Sequence, residues 1–394
     1  MAKKSIKDID ITNKKVLIRV DFNVPLDDNQ KISDDTRIKA ALPTIKYALE
    51  QKAAVILMSH LGRPKGKVVD SLRMDPVAER LSELLGFNVK KTDDCIGVEV
   101  TKAAADLRPG EVLLLENLRF HKEEKANDPE FAKALTNLAQ VYVNDAFGSA
   151  HRAHASTEGA ARFLPAAAGF LLQKEIDYLG NTLQNPAKPF MAILGGAKVT
   201  DKIGVIENLL PKLAALVIGG GMAYTFLKAQ GKQIGNSKLE ADKIDLAKDI
   251  LKQAREKGVE ILLPVDHIIT QQISPDAQTQ QAGENIPEGW IGVDIGPVTI
   301  EKFKSCLTSA KTIVWNGPVG IFEIDIFAKG TKEIAGFIAD LTDTVSIIGG
   351  GDTASAIVKF GAADKMSHIS TGGGASLEFM EGKELPGVAA LNDK

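Results

Sequence analysis

The sequence contains little cysteine, and this scarcity argues against two kinds of site. Its 394 residues include only Cys95 and Cys306, which lie far apart and match neither a disulfide framework nor a paired-cysteine metal motif. We expect both to be buried thiols in a reducing compartment. No HExxH motif and no sequence cluster of histidine and cysteine indicates a zinc site.

Long apolar runs and an excess of charge of one sign are also missing. No stretch approaches the roughly 18 apolar residues of a membrane helix, and the first residues carry no apolar core of secretory length. The formal net charge of −3 gives no reason to expect nucleic acid or an anionic membrane as a partner. We therefore expect a soluble cytoplasmic protein. Its length favours two domains, since single cores stop growing near about 250–300 residues.

Familiar nucleotide-binding motifs are absent as well. The chain has no GxxxxGK[ST] loop of the Walker type and no HRD or DFG set of a protein kinase. The segment GGGDTA at 349–354 does fit the dinucleotide pattern GxGxxA. A dinucleotide site would want an acid at the end of the next strand, about 20 residues further on. That strand ends in Ser370 and Thr371 instead, which weakens a dehydrogenase interpretation.

Short apolar runs alternate with segments of helical period along the whole chain. The runs are rich in Val, Ile and Leu and have no polar face, which is typical of parallel strands covered by helices. Residues 36–51 show the helical pattern, with Ile38, Leu42 and Ile45 at helical spacing and capping residues at 33–35. The alternation predicts an α/β fold with mostly parallel sheets.

One segment is predicted to join two lobes. Residues 164–189 contain no strand-like run and predict a long helix that stops at Asn-Pro and Lys-Pro. We predict an N-terminal lobe at 1–170, an interdomain helix or hinge at 171–188, and a C-terminal lobe at 189–376. Residues 377–394 are expected to pack back on the first lobe. The two lobes should be Rossmann-like and similar in size, each a parallel sheet covered by helices, with a cleft between them.

The predicted strand ends of the first half are polar and mostly basic. In open α/β sheets, ligands bind outside these ends. The side chains concerned are Arg19, Asp21, Asn23, His60, Arg63, Lys65, Asn117, Arg119, His151, Arg152 and His154, with Arg37 opening a following helix. Any one arginine alone would be an ordinary surface charge. Basic loops at several equivalent strand ends predict a pocket for a small, multiply charged anion.

The strand ends of the second half are rich in glycine instead, in GGAK, GGGMA, NGPVG, GGGDTA and TGGGAS. Each alone would be a tight strand-to-helix turn, but together they suit a nucleotide phosphate chain, because glycine lets backbone amides approach phosphate closely. Lys198 and Lys202 are spaced as on one face of a helix and would reach phosphate oxygens. Asp352 would hold Mg²⁺ or cap its helix, and the two roles are compatible.

Eight long motifs, taken in order, resemble those of the phosphoglycerate kinase family, in its bacterial-type form, over nearly the whole chain. They are RVDFNVP (19–25), SHLGRPKG (59–66), LLLENLRF (113–120), NDAFGSAHRAHAS (144–156), GGAKVTDKI (195–203), WNGPVGIFE (315–323), GGGDTASA (349–356) and STGGGASLEF (370–379). The resemblance implies reversible, Mg²⁺-dependent phosphoryl transfer between 1,3-bisphosphoglycerate and ADP, giving 3-phosphoglycerate and ATP in glycolysis and gluconeogenesis. It also implies a monomer whose partners are small molecules and whose lobes close by bending at hinges.

The resemblance further implies roles for individual residues. The glycerate substrate would be bound by Asp21, Phe22, Asn23, Arg37, His60, Leu61, Gly62, Arg63, Arg119 and Arg152. The nucleotide would be bound by Gly196, Ala197, Lys202, Gly292, Glu323, Gly350, Gly351, Asp352 and Thr353, with Glu323 on the ribose and Mg²⁺ on Asp352. The catalytic residues would be Arg37, Lys198, Lys202 and Gly373, because phosphoryl transfer depends mostly on positioning and electrostatics.

Two other functions are compatible with parts of the sequence. A nucleotide-dependent dehydrogenase would use GGGDTA, and a non-catalytic anion sensor would use the basic lobe alone. The sensor has no need of Lys198, Lys202 or Asp352. Neither alternative explains both sets of strand ends.

Overall fold

The apolar runs of the sequence form two six-stranded parallel sheets, one in each of two units of the chain. This computed structural model describes residues 2–394, apart from the side chain of Asn181. Unit 1 comprises Met1–Gly180 together with Glu384–Lys394, and unit 2 comprises Asn181–Lys383. The predicted α/β class, with a parallel sheet in each lobe, is confirmed.

The sheet of unit 1 is built from β1 (Lys15–Val20), β2 (Ala54–Met58), β3 (Lys90–Lys91), β4 (Val112–Leu114), β5 (Val141–Asp145) and β6 (Ala166–Ala168). Its strand order is β3–β4–β2–β1–β5–β6. Every residue of β2 and of β5 is buried. Strands without a polar face are what a parallel sheet covered by helices requires.

The α-helices of the first part of unit 1 are α1 (Thr36–Glu50), α2 (Asp75–Leu85), α3 (Val98–Ala105), α4 (Lys122–Ala126), α5 (Pro129–Thr136) and α6 (Phe170–Glu175). The predicted helix over 36–51 is α1, which buries Ile38 and Ile45. The N-cap residue is Asp35, which makes no side-chain capping bond, and the Thr36 N–H donates to Asp34 Oδ1 at 2.9 Å instead. Short 3₁₀ helices lie at Ile6–Asp8, Asp70–Leu72, Leu118–Phe120, Phe147–Ser149 and Ala160–Arg162, and a π-helical segment at Ala155–Gly159.

The single helix predicted over 164–189 is wrong at its N-terminal end, whereas it stops directly before Asn185-Pro186 as predicted. Ala166–Ala168 form the edge strand β6, which pairs with β5 in the register Tyr142↔Ala166. Alanine favours helices by propensity, but here the pairing with β5 decides the structure. The helix begins at Phe170 with α6, continues as a π-helical segment at Ile176–Asn181, and ends with α7 (Thr182–Gln184).

Unit 2 contains β7 (Phe190–Leu194), β8 (Ala215–Ile218), β9 (Glu260–Leu262), β10 (His267–Thr270), β11 (Thr279–Ala282), β12 (Ile291–Ile295), β13 (Thr312–Asn316), β14 (Val345–Gly349) and β15 (His368–Ile369). The parallel sheet has the order β15–β14–β13–β7–β8–β9. A second, antiparallel sheet, β11–β10–β12, was not predicted. Its strand β11 is TQQA, a polar run that carries no apolar strand signal.

The remaining α-helices of unit 2 are α8 (Ile203–Leu209), α9 (Ala223–Ala229), α10 (Ile244–Glu256), α11 (Pro297–Leu307), α12 (Lys329–Ala339), α13 (Gly351–Lys359) and α14 (Gly373–Met380). Its 3₁₀ helices are Thr200–Lys202, Leu210–Lys212, Ala241–Lys243, Asp325–Phe327 and Ala363–Lys365. Trp315, on the central strand β13, is fully buried in its core.

The last residues of the chain return to unit 1. They include α15 (Pro386–Ala389), and Leu385 and Val388 there are buried. Asn392 accepts a hydrogen bond from the Ala166 N–H at 2.8 Å, which fastens the segment to β6.

The two cysteines differ in burial. Cys95 is buried, as predicted, but Cys306 is only half-buried. Cys306 lies on α11, with its Sγ 3.9 Å from Met191 Sδ. The expectation of two buried thiols is therefore wrong for Cys306. Among the described residues, every helix is too short or too polar to cross a membrane.

Candidate active site

The strand order of unit 1 brings its basic loops to one edge of the sheet. Strands β4, β2, β1 and β5 are consecutive neighbours and all run in the same direction. The residues that follow them therefore lie at one edge, as the sequence predicted.

Gly62 joins the loops that follow β1, β2 and β4. Its N–H donates to Asn23 Oδ1 at 2.8 Å, and its carbonyl accepts from Arg119 Nη1 at 2.8 Å. Beside them, Arg37 from α1 pairs with Asp21 at 2.5 Å. Two of the predicted substrate-binding side chains, Asn23 and Arg119, are thus linked through Gly62, and two others, Asp21 and Arg37, pair with each other.

Phe22 and Leu61 contribute backbone rather than side chain to this edge. Both side chains are buried. The Phe22 N–H donates to Ser59 Oγ at 2.9 Å, and the Leu61 carbonyl accepts from Asn117 Nδ2 at 2.8 Å. Their side chains are therefore part of the core, and they shape the loops that carry the charged groups.

Two guanidinium groups at this edge are buried, which is rare for arginine unless the charge is paired. Arg19 is 1% exposed and donates to Ser156 Oγ at 2.9 Å. Arg119 is 5% exposed, and its Nε and Nη2 find no hydrogen-bond partner among the described residues. Burial and the charges of Arg152 and Arg19 lower the pKa of Arg119 to about 10, so it remains charged at neutral pH. A buried cation with free donors favours binding of an anion.

His60 is held in one protonation state and one tautomer. Burial lowers the pKa of His60 well below its ordinary value, and the charges of Arg19, Arg119, Arg152 and Arg37 add to the effect. Arg19 Nη2 lies 3.0 Å from His60 Nδ1. Because arginine can only donate, Nδ1 accepts and the proton of the neutral ring is on Nε2. His60 is therefore a neutral donor among positive charges.

Arg63 and Arg152 are less constrained. Arg63 is exposed, and its side chain makes no hydrogen bond or ion pair with the described residues. Arg152 is half-buried, with Nε 3.2 Å from His151 Nε2. Both are long cations whose heads can still move onto a ligand.

The strand order of unit 2 gathers the glycine loops in the same way, since β8, β7, β13, β14 and β15 are parallel neighbours. The Gly196 N–H donates to Pro318 O at 3.0 Å, and the Gly196 carbonyl accepts from the Met222 N–H at 3.0 Å. Gly196 thus joins three of the loops. Ala197, which follows it, is exposed.

Two helix N-termini lie side by side in this region. Gly350 caps α13 with φ +86° and ψ 140°, a conformation that favours glycine. A Cβ atom on Gly373, the first residue of α14, would lie 3.5 Å from the Gly351 nitrogen. The first amides of a helix have no partner within it, so adjacent N-termini suit a phosphate group.

Thr353 and Asp352 play different parts at the start of α13. Thr353 is buried, and its Oγ1 accepts from the Gly317 N–H at 2.6 Å, which fixes the loop after β13. Asp352 is exposed, and its carboxylate makes no hydrogen bond or ion pair with the described residues. A free carboxylate beside helix amides suits a hard cation such as Mg²⁺, which prefers few carboxylates plus phosphate oxygens.

Lys202 is the half-buried cation of this site. Its Nζ donates to Asn316 Oδ1 at the end of β13. Burial lowers the pKa of Lys202, an effect that the charges of Asp201, Asp352 and Glu381 oppose. A Cβ atom on Gly350 would lie 3.4 Å from Asn316 Nδ2, so Lys202, Asn316 and the N-terminus of α13 are neighbours.

Lys198 and Lys202 do not share a helical face, so the prediction drawn from their spacing is wrong. Lys198 is exposed in the loop after β7, and Lys202 itself caps α8, which begins at Ile203. The turn at 195–197 and the 3₁₀ helix Thr200–Lys202 delay the start of the helix. The spacing of the two lysines therefore carries no information about a shared face.

Gly292 and Glu323 lie apart from the helix N-termini. Gly292 is on β12, and a Cβ atom there would lie 2.0 Å from Tyr224 Oη, so only glycine fits. Glu323 is exposed beside the C-terminal end of α13, where Lys359 Nζ donates to the Phe322 carbonyl at 2.9 Å. No hydrogen bond among the described residues joins either one to 195–202 or 349–353.

Similarity to known proteins identifies the family. The family model for phosphoglycerate kinase matches residues 6–383. This chain belongs to the phosphoglycerate kinase family. A phosphoglycerate kinase of Moorella thermoacetica is 59% identical over 395 residues, spanning 100% of both proteins. The predicted resemblance is thus confirmed.

Solved structures of the phosphoglycerate kinase family show the same fold. The enzyme of Coxiella burnetii matches with a TM-score of 0.91 and 44% identity, covering 98% of each chain. The enzyme of Pyrococcus horikoshii OT3 matches with a TM-score of 0.85 and 36% identity, also covering 98% of each chain. The chain is therefore a kinase, that is, a phosphotransferase, with a role in glycolysis.

Glu124 and Asn316 were not predicted from the sequence. Glu124 is fully buried in α4 and accepts from Ser156 Oγ at 2.6 Å, which supports the Ser156 that binds Arg19. The helix sequence KEEKA looks like any exposed helix, so nothing marks this glutamate as buried. Asn316 stands in the recognised motif WNGPVG, but only the contact with Lys202 indicates its part in the site.

Proposed function

We propose that this enzyme reversibly transfers a phosphoryl group between 1,3-bisphosphoglycerate and ADP, giving 3-phosphoglycerate and ATP, with Mg²⁺ accompanying the nucleotide. The observation that supports it best is the presence of two different anion sites. Unit 1 offers side-chain cations, including the free donors of Arg119, whereas unit 2 offers helix N-termini and Lys202. Such a pair suits a phosphorylated acid on one side and a nucleotide on the other.

In the proposal, the cations of unit 1 bind 3-phosphoglycerate. Arg119 and the Nε2–H of His60 donate to its phosphate, and the mobile Arg63 and Arg152 complete the shell. Asp21 and Asn23 contact the glycerate. Phe22, Leu61 and Gly62 shape the loops that follow β1 and β2. Arg37, which pairs with Asp21 in the free protein, turns to the reacting carboxyl group.

The helix N-termini of unit 2 bind the nucleotide phosphates. Amides at Gly350, Gly351 and Thr353 donate to the phosphate chain, and Lys202 and Lys198 supply positive charge. Gly196, Ala197 and Gly292 line the nucleotide, and Glu323 binds the ribose. Asp352 would hold Mg²⁺, whose charge, when it is bound, neutralises phosphate oxygens.

The residues of the chain do not need to remove a proton. The nucleophile in the ATP-consuming direction is a carboxylate, which is already ionised at neutral pH. Arg37, Lys202 and the amide of Gly373 stabilise the charge on the transferring group, and exclusion of water limits ATP hydrolysis. Loss of one such donor typically costs about 10²–10³ in rate.

Coupled turnover tests the proposal. Purified protein receives Mg-ATP and 3-phosphoglycerate, and a downstream dehydrogenase reports 1,3-bisphosphoglycerate; Arg37→Ala and Lys202→Ala are assayed beside the unmodified enzyme. We expect the unmodified enzyme to turn over. Each variant should be at least about a hundredfold slower, since each loses a charge at the transfer step. Unmodified enzyme that is folded, supplied with Mg²⁺ and inactive would contradict the proposal.

The proposal also covers the setting of the enzyme. We expect it to act as a monomer in the cytoplasm, with small molecules rather than nucleic acid or membranes as its partners. Sedimentation equilibrium that shows a dimer at working concentrations would contradict the monomer.

A further inference from the structure

A cluster of metal-ligating side chains lies in unit 1 outside the residues assigned above. It consists of Asp94, Cys95 and His121, whose ligand atoms all lie within 4.8 Å of one another. Among the described residues, no other group of three or more His, Cys, Asp and Glu side chains meets that distance. Cys95 and His121 are too far apart in sequence to form any recognisable metal motif.

The cluster is fixed by its surroundings. The Cys95 N–H donates to Asp94 Oδ1 at 2.6 Å, and Thr92 Oγ1 donates to the Asp94 carbonyl at 2.7 Å. His121 Nε2 lies 2.6 Å from Asp94 Oδ1, and its ring packs on Phe131 with centroids 5.2 Å apart. Asp94, the backbone of Cys95 and the ring of His121 are thus held before any ion arrives.

One side of the cluster is buried and the other is open. Cys95 is fully buried, whereas the side chains of His121 and Asp94 are 25% and 52% exposed. Asp94 and His121 therefore form the solvent side of the cluster, and the thiol forms its buried side.

The local charge favours a cation. Among the described residues, Asp94 pairs with no lysine or arginine, so its charge is not neutralised by a permanent cation. That uncompensated negative charge attracts a cation beside the thiol, and the bound ion would replace the thiol proton.

We propose that Asp94, Cys95 and His121 bind a borderline-soft divalent cation such as Zn²⁺ through one oxygen, one sulfur and one nitrogen. Sulfur and imidazole ligands select such ions over Mg²⁺, which prefers oxygen alone. A tetrahedral site needs bonds of about 2.0–2.3 Å, which small rotations of His121 and Asp94 can provide. Binding releases the thiol proton to solvent and breaks the contact between His121 and Asp94.

Cobalt absorption and zinc competition test the site in the full-length protein. Co²⁺ bound to a thiolate gives a charge-transfer band, which reports sulfur ligation directly. Zn²⁺ affinity is measured by competition with a chromophoric chelator. The variants are Cys95→Ser and His121→Ala, and the matched controls are Cys306→Ser and Asp93→Asn, which remove the other thiol and the neighbouring carboxylate.

We expect one Co²⁺ per chain with a thiolate band that Zn²⁺ abolishes and excess Mg²⁺ does not. Cys95→Ser should lose the band, and His121→Ala should weaken Zn²⁺ binding by at least about tenfold, since even loss of an outer partner costs 10–100-fold. Both controls should behave like the unmodified protein.

The site is ruled out if the unmodified protein shows no thiolate band, if Cys306→Ser removes it, or if His121→Ala binds Zn²⁺ with unchanged affinity. Should Cys95→Ser fail to fold by circular dichroism, His121→Ala and Asp94→Asn decide the question.

Discussion

At the scale of single residues, the proposed anion site of unit 1 contains charges whose hydrogen bonding within the described residues is incomplete. Arg119 is the clearest case, because its Nη1 donates to Gly62 O while Nε and Nη2 find no partner among the described residues. A buried charge without full hydrogen bonding lowers stability and raises affinity for an opposite charge. The proposed role of Arg119 in binding phosphate therefore opposes its effect on stability.

Replacing Arg119 with methionine should separate those two effects. Since the substitution removes a buried cation and keeps much of the side-chain volume, the free energy of unfolding should stay level or rise by about 1 kcal/mol. Inorganic phosphate should stabilise the unmodified enzyme against heat and should do so much less in the variant. A variant that is clearly less stable than the parent without ligand would contradict this account.

His267 makes stability depend on pH. Its ring is fully buried, and neither nitrogen finds a hydrogen-bond partner among the described residues. Burial lowers the pKa of His267 to about 4, although the charge of Asp266 acts in the other direction. In the unfolded chain the pKa of this histidine is about 6.5. As the pH falls from 6.5 towards 4, the unfolded chain therefore binds a proton that the folded protein does not bind.

Because of His267, the free energy of unfolding should therefore decrease as the pH is lowered. Between pH 7 and pH 5 this residue alone should remove about 2 kcal/mol. Urea unfolding of the parent and of His267→Phe at both pH values measures the difference. Equal pH dependence in the two proteins would show that His267 does not titrate as described.

At the scale of elements, the N-terminus of α13 requires a positive φ at Gly350 but has room for a side chain at Gly351. Gly350 has φ +86°, whereas Gly351 is helical and a Cβ atom there would meet nothing within 4 Å. Gly350→Ala should lower the free energy of unfolding by about 1–3 kcal/mol, the cost of such strained backbone. Gly351→Ala serves as the control and should be nearly as stable as the parent; equal losses in both would refute the strain argument.

How much of the fold was predictable depended on the element. Strands such as β2 and β14 were predictable because apolar runs between helical segments favour parallel strands. The strand β6 was not, since AAA carries no strand signal and only its pairing with β5 makes it one. The polar strand β11 was missed for the same reason: the neighbouring strand β10 decides its structure.

The residues of the candidate site also differ in how far the sequence predicts them. Residues in long motifs, such as Asp352, are visible in the sequence together with the chemistry they suit. Contacts across the fold are not: Glu124 beneath Ser156, and His121 beside Cys95, come together only through the packing of separate loops. The predicted shared face of Lys198 and Lys202 failed because spacing says nothing until the start of the helix is known.

At the scale of the whole molecule, the proposed reaction uses ligands that bind to different units. The two ligands must meet for direct transfer, so the helix over 170–184 and the segment after Gly374 are proposed as hinges. X-ray scattering should show a smaller radius of gyration with 3-phosphoglycerate and a non-hydrolysable Mg-nucleotide together than with either alone. An unchanged radius with both bound would contradict the hinge proposal.

The central claim is that unit 1 binds the phosphorylated acid and unit 2 binds the nucleotide, for one reaction. Steady-state kinetics of Arg119→Met and Asp352→Asn against each substrate test it most directly. We predict that Arg119→Met raises KM for 3-phosphoglycerate by at least about tenfold, the cost of a charge-assisted hydrogen bond, and leaves KM for Mg-ATP nearly unchanged. Asp352→Asn should raise KM for Mg-ATP and leave KM for 3-phosphoglycerate nearly unchanged. If both variants changed the same KM, or if each changed both equally, the assignment of the two ligands to two units would be wrong.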